Sequence, residues 1–240
     1  MNKFIEPNYS NMLILPEYYK GVESTISFNK VELSKRISPR MLFEFAQLDL
    51  NLKPKAHAMI NALSNAKRAL HFQIDIITKS LGIMKLPHNQ RDNFNKKLLF
   101  CKKCGIISPP ILQKLNRLRN SMEHDCLIPK SAQVQDFIDI VALFLLATDK
   151  LVHQFPGELD FIYSRKSKIT LPDIQQIYFP IGEGIIYLCY NNIFLKDELR
   201  EAGIETIDQI FKKYSIKITP ISGDLFYSWV KFIIKFSYKF

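Results

Sequence analysis

PKAHAMINALSNAKRALHFQIDIITKSLG, residues 54–82, is the longest periodic stretch in the chain. Its apolar positions Ala56, Met59, Ile60, Leu63, Ala66, Leu70, Ile74, Ile77 and Leu81 recur mostly at intervals of three and four, the repeat of one face of an α-helix. Pro54 opens the stretch and Gly82 offers a C-cap. The same period extends to either side. Pro39 fits a first helical turn, with Met41, Leu42, Phe45 and Leu48 behind it. A third helix is expected from Asn89 to Cys101, ending at Gly105. Ser108-Pro109-Pro110 is a start signal for a fourth, carrying Ile111, Leu115, Leu118 and Met122. A fifth runs from about Ser131 to Val152, with Val134, Phe137, Ile138, Val141, Phe144, Leu145, Thr148 and Val152 on one face. Five helices joined by short connections predict an up-and-down bundle over residues 39–156.

The flanks read differently. Residues 1–38 hold turn residues and short apolar stretches, an N-terminal arm or lead-in with room for a strand or two. After Phe155-Pro156-Gly157 the texture shifts. Gln176 to Asn191 places β-favouring residues on both sides of Gly182-Glu183-Gly184, the pattern of a hairpin. Lys196 to Tyr214 reads as helical, split by Gly203. From Phe226 to Phe240, aromatic residues alternate with Lys231, Lys235 and Lys239, which favours a strand over a basic amphipathic tail. The expected architecture is mainly α: a helical bundle over 39–156, preceded by a lead-in over 1–38 and followed by a smaller α+β accessory module over 157–240.

At 240 residues and 47% apolar content the chain can bury a sizeable core. No apolar run approaches the roughly 20 residues that cross a bilayer, and the N-terminus lacks the apolar segment of a signal peptide. A cytoplasmic protein with no membrane partner is expected. Cys101, Cys104, Cys126 and Cys189 are too few to staple a chain of this length, which points to a reducing compartment. The formal charge of +10 is concentrated in the middle of the chain. Residues 40–156 hold 17 Lys/Arg against 9 Asp/Glu, whereas residues 157–240 hold 11 against 10. A basic segment of this kind suits a polyanion, because each neutralised phosphate releases counterions.

That basic segment contains Arg119-Asn120-Ser121-Met122-Glu123-His124. With Ile111, Leu115, Leu118 and Met122 as the buried stripe of the expected fourth helix, Asn120 and His124 fall on the opposite side and Arg119 at its edge. Histidine can exchange protons near neutral pH, arginine can fork onto phosphate oxygens, and asparagine can orient either partner. On one ideal helix Arg119 and His124 diverge by roughly 140°. Either the helix unwinds before His124, or a two-fold partner completes the site. By spacing alone the same residues also suit a helix end, with Arg119–Glu123 as a surface ion pair.

Leu115 to His124 resembles the signature of the HEPN superfamily (higher eukaryotes and prokaryotes nucleotide-binding), an arginine, a polar residue, a short spacer and a histidine. The resemblance covers roughly residues 40–156 and matches the shortest spacer. It implies an antiparallel HEPN-like helical bundle, a homodimer that pairs two motifs, and a metal-independent endoribonuclease that needs no cofactor. Proteins of this kind are similar to toxins of toxin–antitoxin pairs and to anti-phage effectors, with an antitoxin or defence-system protein as partner. Carried onto this chain, Arg119 and His124 are catalytic and Asn120 supports them. The superfamily also holds silent nucleotide- or RNA-binding sensors and scaffolds, which is the alternative reading.

Lys96, Lys97, Lys102, Lys103, Lys114 and Arg117 flank the motif and are candidates for guiding an RNA backbone; a solvated lysine face is the plainer alternative. Cys101-Lys102-Lys103-Cys104 has the spacing of half a zinc site; there is no second CxxC, and using His124 and Cys126 downstream as ligands would compete with the catalytic reading, so no metal is assigned. His57, His71, His88 and His153 are scattered; His71 and His153 border apolar helix faces and read as core-edge residues.

Overall fold

The structure is a computed structural model, and it describes residues 15–19, 22–32, 37–106, 112, 128, 130–162, 174–190 and 215–238. Helix α1 (Pro39–Asp49) begins where the Ser38 side chain accepts a hydrogen bond from the Met41 backbone N–H at 3.1 Å. Helix α2 (Lys55–Ser80) is the long periodic stretch, and it ends where Gly82 takes a left-handed conformation at φ 87°. Helix α3 (Phe94–Lys103) starts later than its sequence pattern suggests, because Asn93 caps it by accepting from the Lys96 N–H. Helix α4 (Ser131–His153) follows the expected limits closely. The expected fourth helix from Ser108 lies outside the described residues, apart from a buried Leu112.

Helix α2 packs on both α1 and α4. Ala58, Ala62, Ala66 and Ala69 are wholly buried along it, and such small side chains let helix backbones approach closely. Helix α4 is long and apolar enough in composition to cross a bilayer. One face of it, from Val134 through Phe137, Val141 and Phe144 to Val152, nevertheless belongs to the same core cluster as α2.

The mainly α architecture expected from the sequence is overturned by an antiparallel sheet of five strands among the described residues, which makes this an α+β fold. Its strands β1 (Glu23–Asn29), β2 (Phe155–Ile162), β3 (Ile174–Tyr178), β4 (Ile186–Tyr190) and β5 (Ser215–Ile218) pair in sequence order. The lead-in thus supplies an edge strand, with Thr25 opposite Asp160 and Ile26 opposite Leu159. The expected hairpin is present as β3 and β4, with Ile177 opposite Leu188.

The C-terminal stretch is a helix, α5 (Asp224–Tyr238), and not the strand expected from its aromatic–lysine alternation. Its buried residues Phe226, Trp229, Val230, Ile233 and Ile234 repeat at three and four, and Lys231 and Lys235 lie one turn apart outside that stripe. The aromatic subset imitates a period of two; the full apolar set does not. Helix α5 covers one sheet face. Trp229 lies against Tyr19 at 5.7 Å between ring centroids, Tyr19 stacks on Phe161 of β2 at 5.1 Å, and Phe226 meets Phe179 at the end of β3.

Helices and sheet share one hydrophobic cluster. They are also joined through backbone. The Gly182 N–H donates to Ser80 O at 2.8 Å, so the turn between β3 and β4 satisfies a carbonyl at the end of α2. Gly82 and Gly184 meet with no room for a side chain, since a Cβ on Gly82 would overlap the Gly184 Cα. Gly82→Ala is therefore expected to destabilise the protein by about 2–4 kcal/mol in urea unfolding, combining left-handed strain with the clash. Gly223→Ala is the comparison: at φ 66° it carries backbone strain alone, because an added Cβ meets nothing within 4 Å, and its cost should be about 1–2 kcal/mol.

Candidate nucleic-acid interface

Four of the six basic residues expected to guide an RNA backbone lie on α3, and the fold gives them different surroundings. Lys96 Nζ is 2.7 Å from Asp92 Oδ1, one turn away. That hydrogen bond, with the ammonium charge, holds the Asp92 carboxyl below its usual range. Lys97 Nζ reaches back to Asp75 Oδ1 on α2 at 2.6 Å, with both side chains partly covered. Lys103 Nζ lies 5.0 Å from the centre of the Tyr227 ring on α5, a cation–π distance. Lys102 is exposed in the last turn and has no ion-pair partner among the described residues. Lys96 and Lys97 are thus already neutralised within the chain, and a phosphate would have to displace a carboxylate to reach them. Lys102, and Lys103 from its ring, remain open to a polyanion.

The predicted catalytic residues Arg119, Asn120 and His124, with the flanking Lys114 and Arg117, lie outside the described residues. What the structure defines is the ground on either side: α3 with its two open lysines before the motif, and α4 after it.

Cys101 and Cys104 are wholly buried free thiols at the foot of α3. Burial pushes the Cys101 thiol up to about 12 and raises Cys104 as well, with the neighbouring Cys101 adding to the effect. No group of three or more potential metal ligands forms among the described residues, and His124 and Cys126 lie outside them. Of the histidines, His71 stacks on Phe94 at 4.1 Å, His57 contacts Asn61, and His153 Nε2 lies 3.5 Å from Asp149 Oδ1. Their placement on helices as isolated partners matches the core-edge reading of His71 and sets His153 at the mouth of a cavity.

Two features escaped the sequence reading. The first is a pair of carboxylates on the sheet face turned away from α5. Glu158 and Asp160, half-buried on β2, are both raised by desolvation; the Asp160 charge adds to the shift of Glu158, and the Thr25 hydroxyl partly offsets that of Asp160. Their only trace in the sequence is alternation with Leu159 and Phe161. The second is Gln73, 3% exposed on the buried face of α2 between Leu70 and Ile77, whose sequence signal is a lone amide in an apolar stripe. It lines a cavity of about 470 Å³ between α1, α2 and α4.

Comparison of the chain with protein-family models, with characterised proteins and with solved structures finds no match.

Two outcomes check this description. Lys97→Ala should lower stability by about 0.5–1 kcal/mol by breaking the α2–α3 pair, whereas Lys102→Ala, which breaks no ion pair among the described residues, should leave stability unchanged. Because Glu158 is raised in the folded state, its protonated form is favoured by folding. That contribution is complete below the unfolded carboxyl range and is lost as pH rises through the folded value. Glu158→Gln should therefore melt higher than wild type at pH 7, with the difference disappearing below about pH 4.

Proposed function

We propose that the protein is a metal-independent endoribonuclease of the HEPN type, acting in the cytoplasm as a toxin or anti-phage effector. The single observation that carries this reading is Arg119-Asn120-Ser121-Met122-Glu123-His124, set in the segment that holds most of the chain's positive charge. His124 accepts the proton of a ribose 2′-hydroxyl as its oxygen bonds to the adjacent phosphorus. The bond to the 5′-oxygen breaks, and that oxygen takes up a proton, leaving a 2′,3′-cyclic phosphate and a 5′-hydroxyl. Arg119 stabilises the charge that gathers on the phosphate oxygens, and Asn120 orients the phosphate or the imidazole. Two copies of the chain in a homodimer supply both proton-transfer groups, which removes the difficulty of Arg119 and His124 diverging on one helix. The open lysines at the end of α3, Lys102 and Lys103, support an RNA path on the helix that precedes the motif in sequence.

The internal pairing of Lys96 and Lys97 favours a second reading, a catalytically silent HEPN module that binds nucleotide or RNA as a sensor or scaffold. One experiment separates the two. Purified protein in excess EDTA should cut single-stranded RNA to ends carrying 2′,3′-cyclic phosphate. His124→Ala and Arg119→Ala should each slow cleavage by at least about a hundredfold, and expression of the wild type, but not of His124→Ala, should arrest growth. RNA left intact by the wild type, with binding retained, would establish the silent module.

A further inference from the structure

The cavity between α1, α2 and α4 has a feature that its apolar walls do not explain. Gln73 projects into it from the buried face of α2. Its Nε2 donates to Thr148 Oγ1 at 3.1 Å, while the Thr148 hydroxyl donates to Phe144 O at 2.7 Å. Because the Thr148 hydrogen is committed to that carbonyl, its oxygen can only accept from Gln73. This fixes the orientation of the amide. The Gln73 Oε1 is then an acceptor without a partner among the described residues, on a side chain that is 97% covered.

Above it, Phe43 of α1 and Ala142, Leu145 and Val152 of α4 supply apolar walls. The basic groups at the mouth are each matched by an acid: Arg40 Nε lies 3.9 Å from Glu44 Oε1, and His153 Nε2 lies 3.5 Å from Asp149 Oδ1. Among the described lining residues, no uncompensated cation awaits an anionic ligand. At about 470 Å³ the space is in the range of small-molecule sites, which combine apolar walls with a few convergent polar groups.

We propose that this cavity binds an uncharged, flat aromatic heterocycle that donates a ring N–H to Gln73 Oε1. A free indole-like molecule and a nucleobase share that chemistry. The proposal is independent of RNA cleavage: it requires neither Arg119 nor His124, and it survives if the protein proves catalytically silent.

The test compares matched probes on the full chain by titration calorimetry. Indole is set against benzothiophene, which replaces the N–H with sulfur, and uracil against 1,3-dimethyluracil, which lacks both N–H groups. The wild type should prefer the N–H member of at least one pair by about tenfold, the scale of a matched hydrogen bond. Whichever pair shows the larger preference identifies the natural source as indole-like or nucleobase. Gln73→Leu should erase the preference while still binding the probes through the walls. Ala142→Trp, which fills the space and leaves Gln73 intact, should abolish binding altogether. Failure of both N–H probes to bind the wild type overturns the proposal, as does binding with no N–H preference in either pair, a preference that persists in Gln73→Leu, or binding unchanged in Ala142→Trp. Should Gln73→Leu not fold, the probe pairs on the wild type and on Ala142→Trp still decide it.

Discussion

The backbone contact between the end of α2 and the turn joining β3 to β4 sets the geometry for everything around it. Gly82 and Gly184 touch where neither can carry a side chain, and the Gly182 N–H closes a carbonyl that α2 would otherwise leave open. A hydrophobic cluster tolerates small slips, because its attraction is non-directional. A contact between two backbones does not. It fixes where the sheet begins relative to the longest helix, and so how α5, pinned beneath the sheet by Trp229 and Phe226, stands beside α3. The Lys103–Tyr227 approach depends on that placement.

Much of the helical half was legible in the sequence because its determinants are local. The alanine-rich stripe of α2, the cap at Ser38 and the apolar face of α4 are patterns of three and four residues that need no knowledge of the rest of the chain. The β3–β4 hairpin was legible for the same reason, since its two strands flank a glycine-bearing turn. The sheet as a whole was not. Its first strand pairs with one whose residues lie well over a hundred positions further on, and its last strand is only four residues long. Nothing within a local window reveals such a pairing. Helix α5 looks like a strand in the sequence because its aromatics, taken without Val230, Ile233 and Ile234, mimic the alternation of one.

The candidate site divides along similar lines. The motif at Arg119 to His124 is short and local, so it could be noticed at once in the sequence. The state of the lysines that precede it in sequence could not, because Asp75, which neutralises Lys97, lies on another helix, and Tyr227, which holds Lys103, on another still. Gln73 illustrates the converse. A single amide in an apolar stripe is visible in the sequence, but only the neighbouring Thr148, and the carbonyl that claims its hydroxyl hydrogen, turn it into an acceptor of known direction.

The pairing of Thr25 with Asp160 has a consequence for how the molecule is made. Residues 23–29 are synthesised before α1 to α4, whereas their partner strand is synthesised only after them. The first strand must therefore wait, unpaired, while α1 to α4 form from contacts close in sequence. Closing so long a loop belongs to the slow end of folding, and an edge strand that waits is open to the wrong partner meanwhile. The polar face that β1 keeps, with Glu23, Thr25 and Ser27 turned outward, is the kind of strand surface that limits such mispairing.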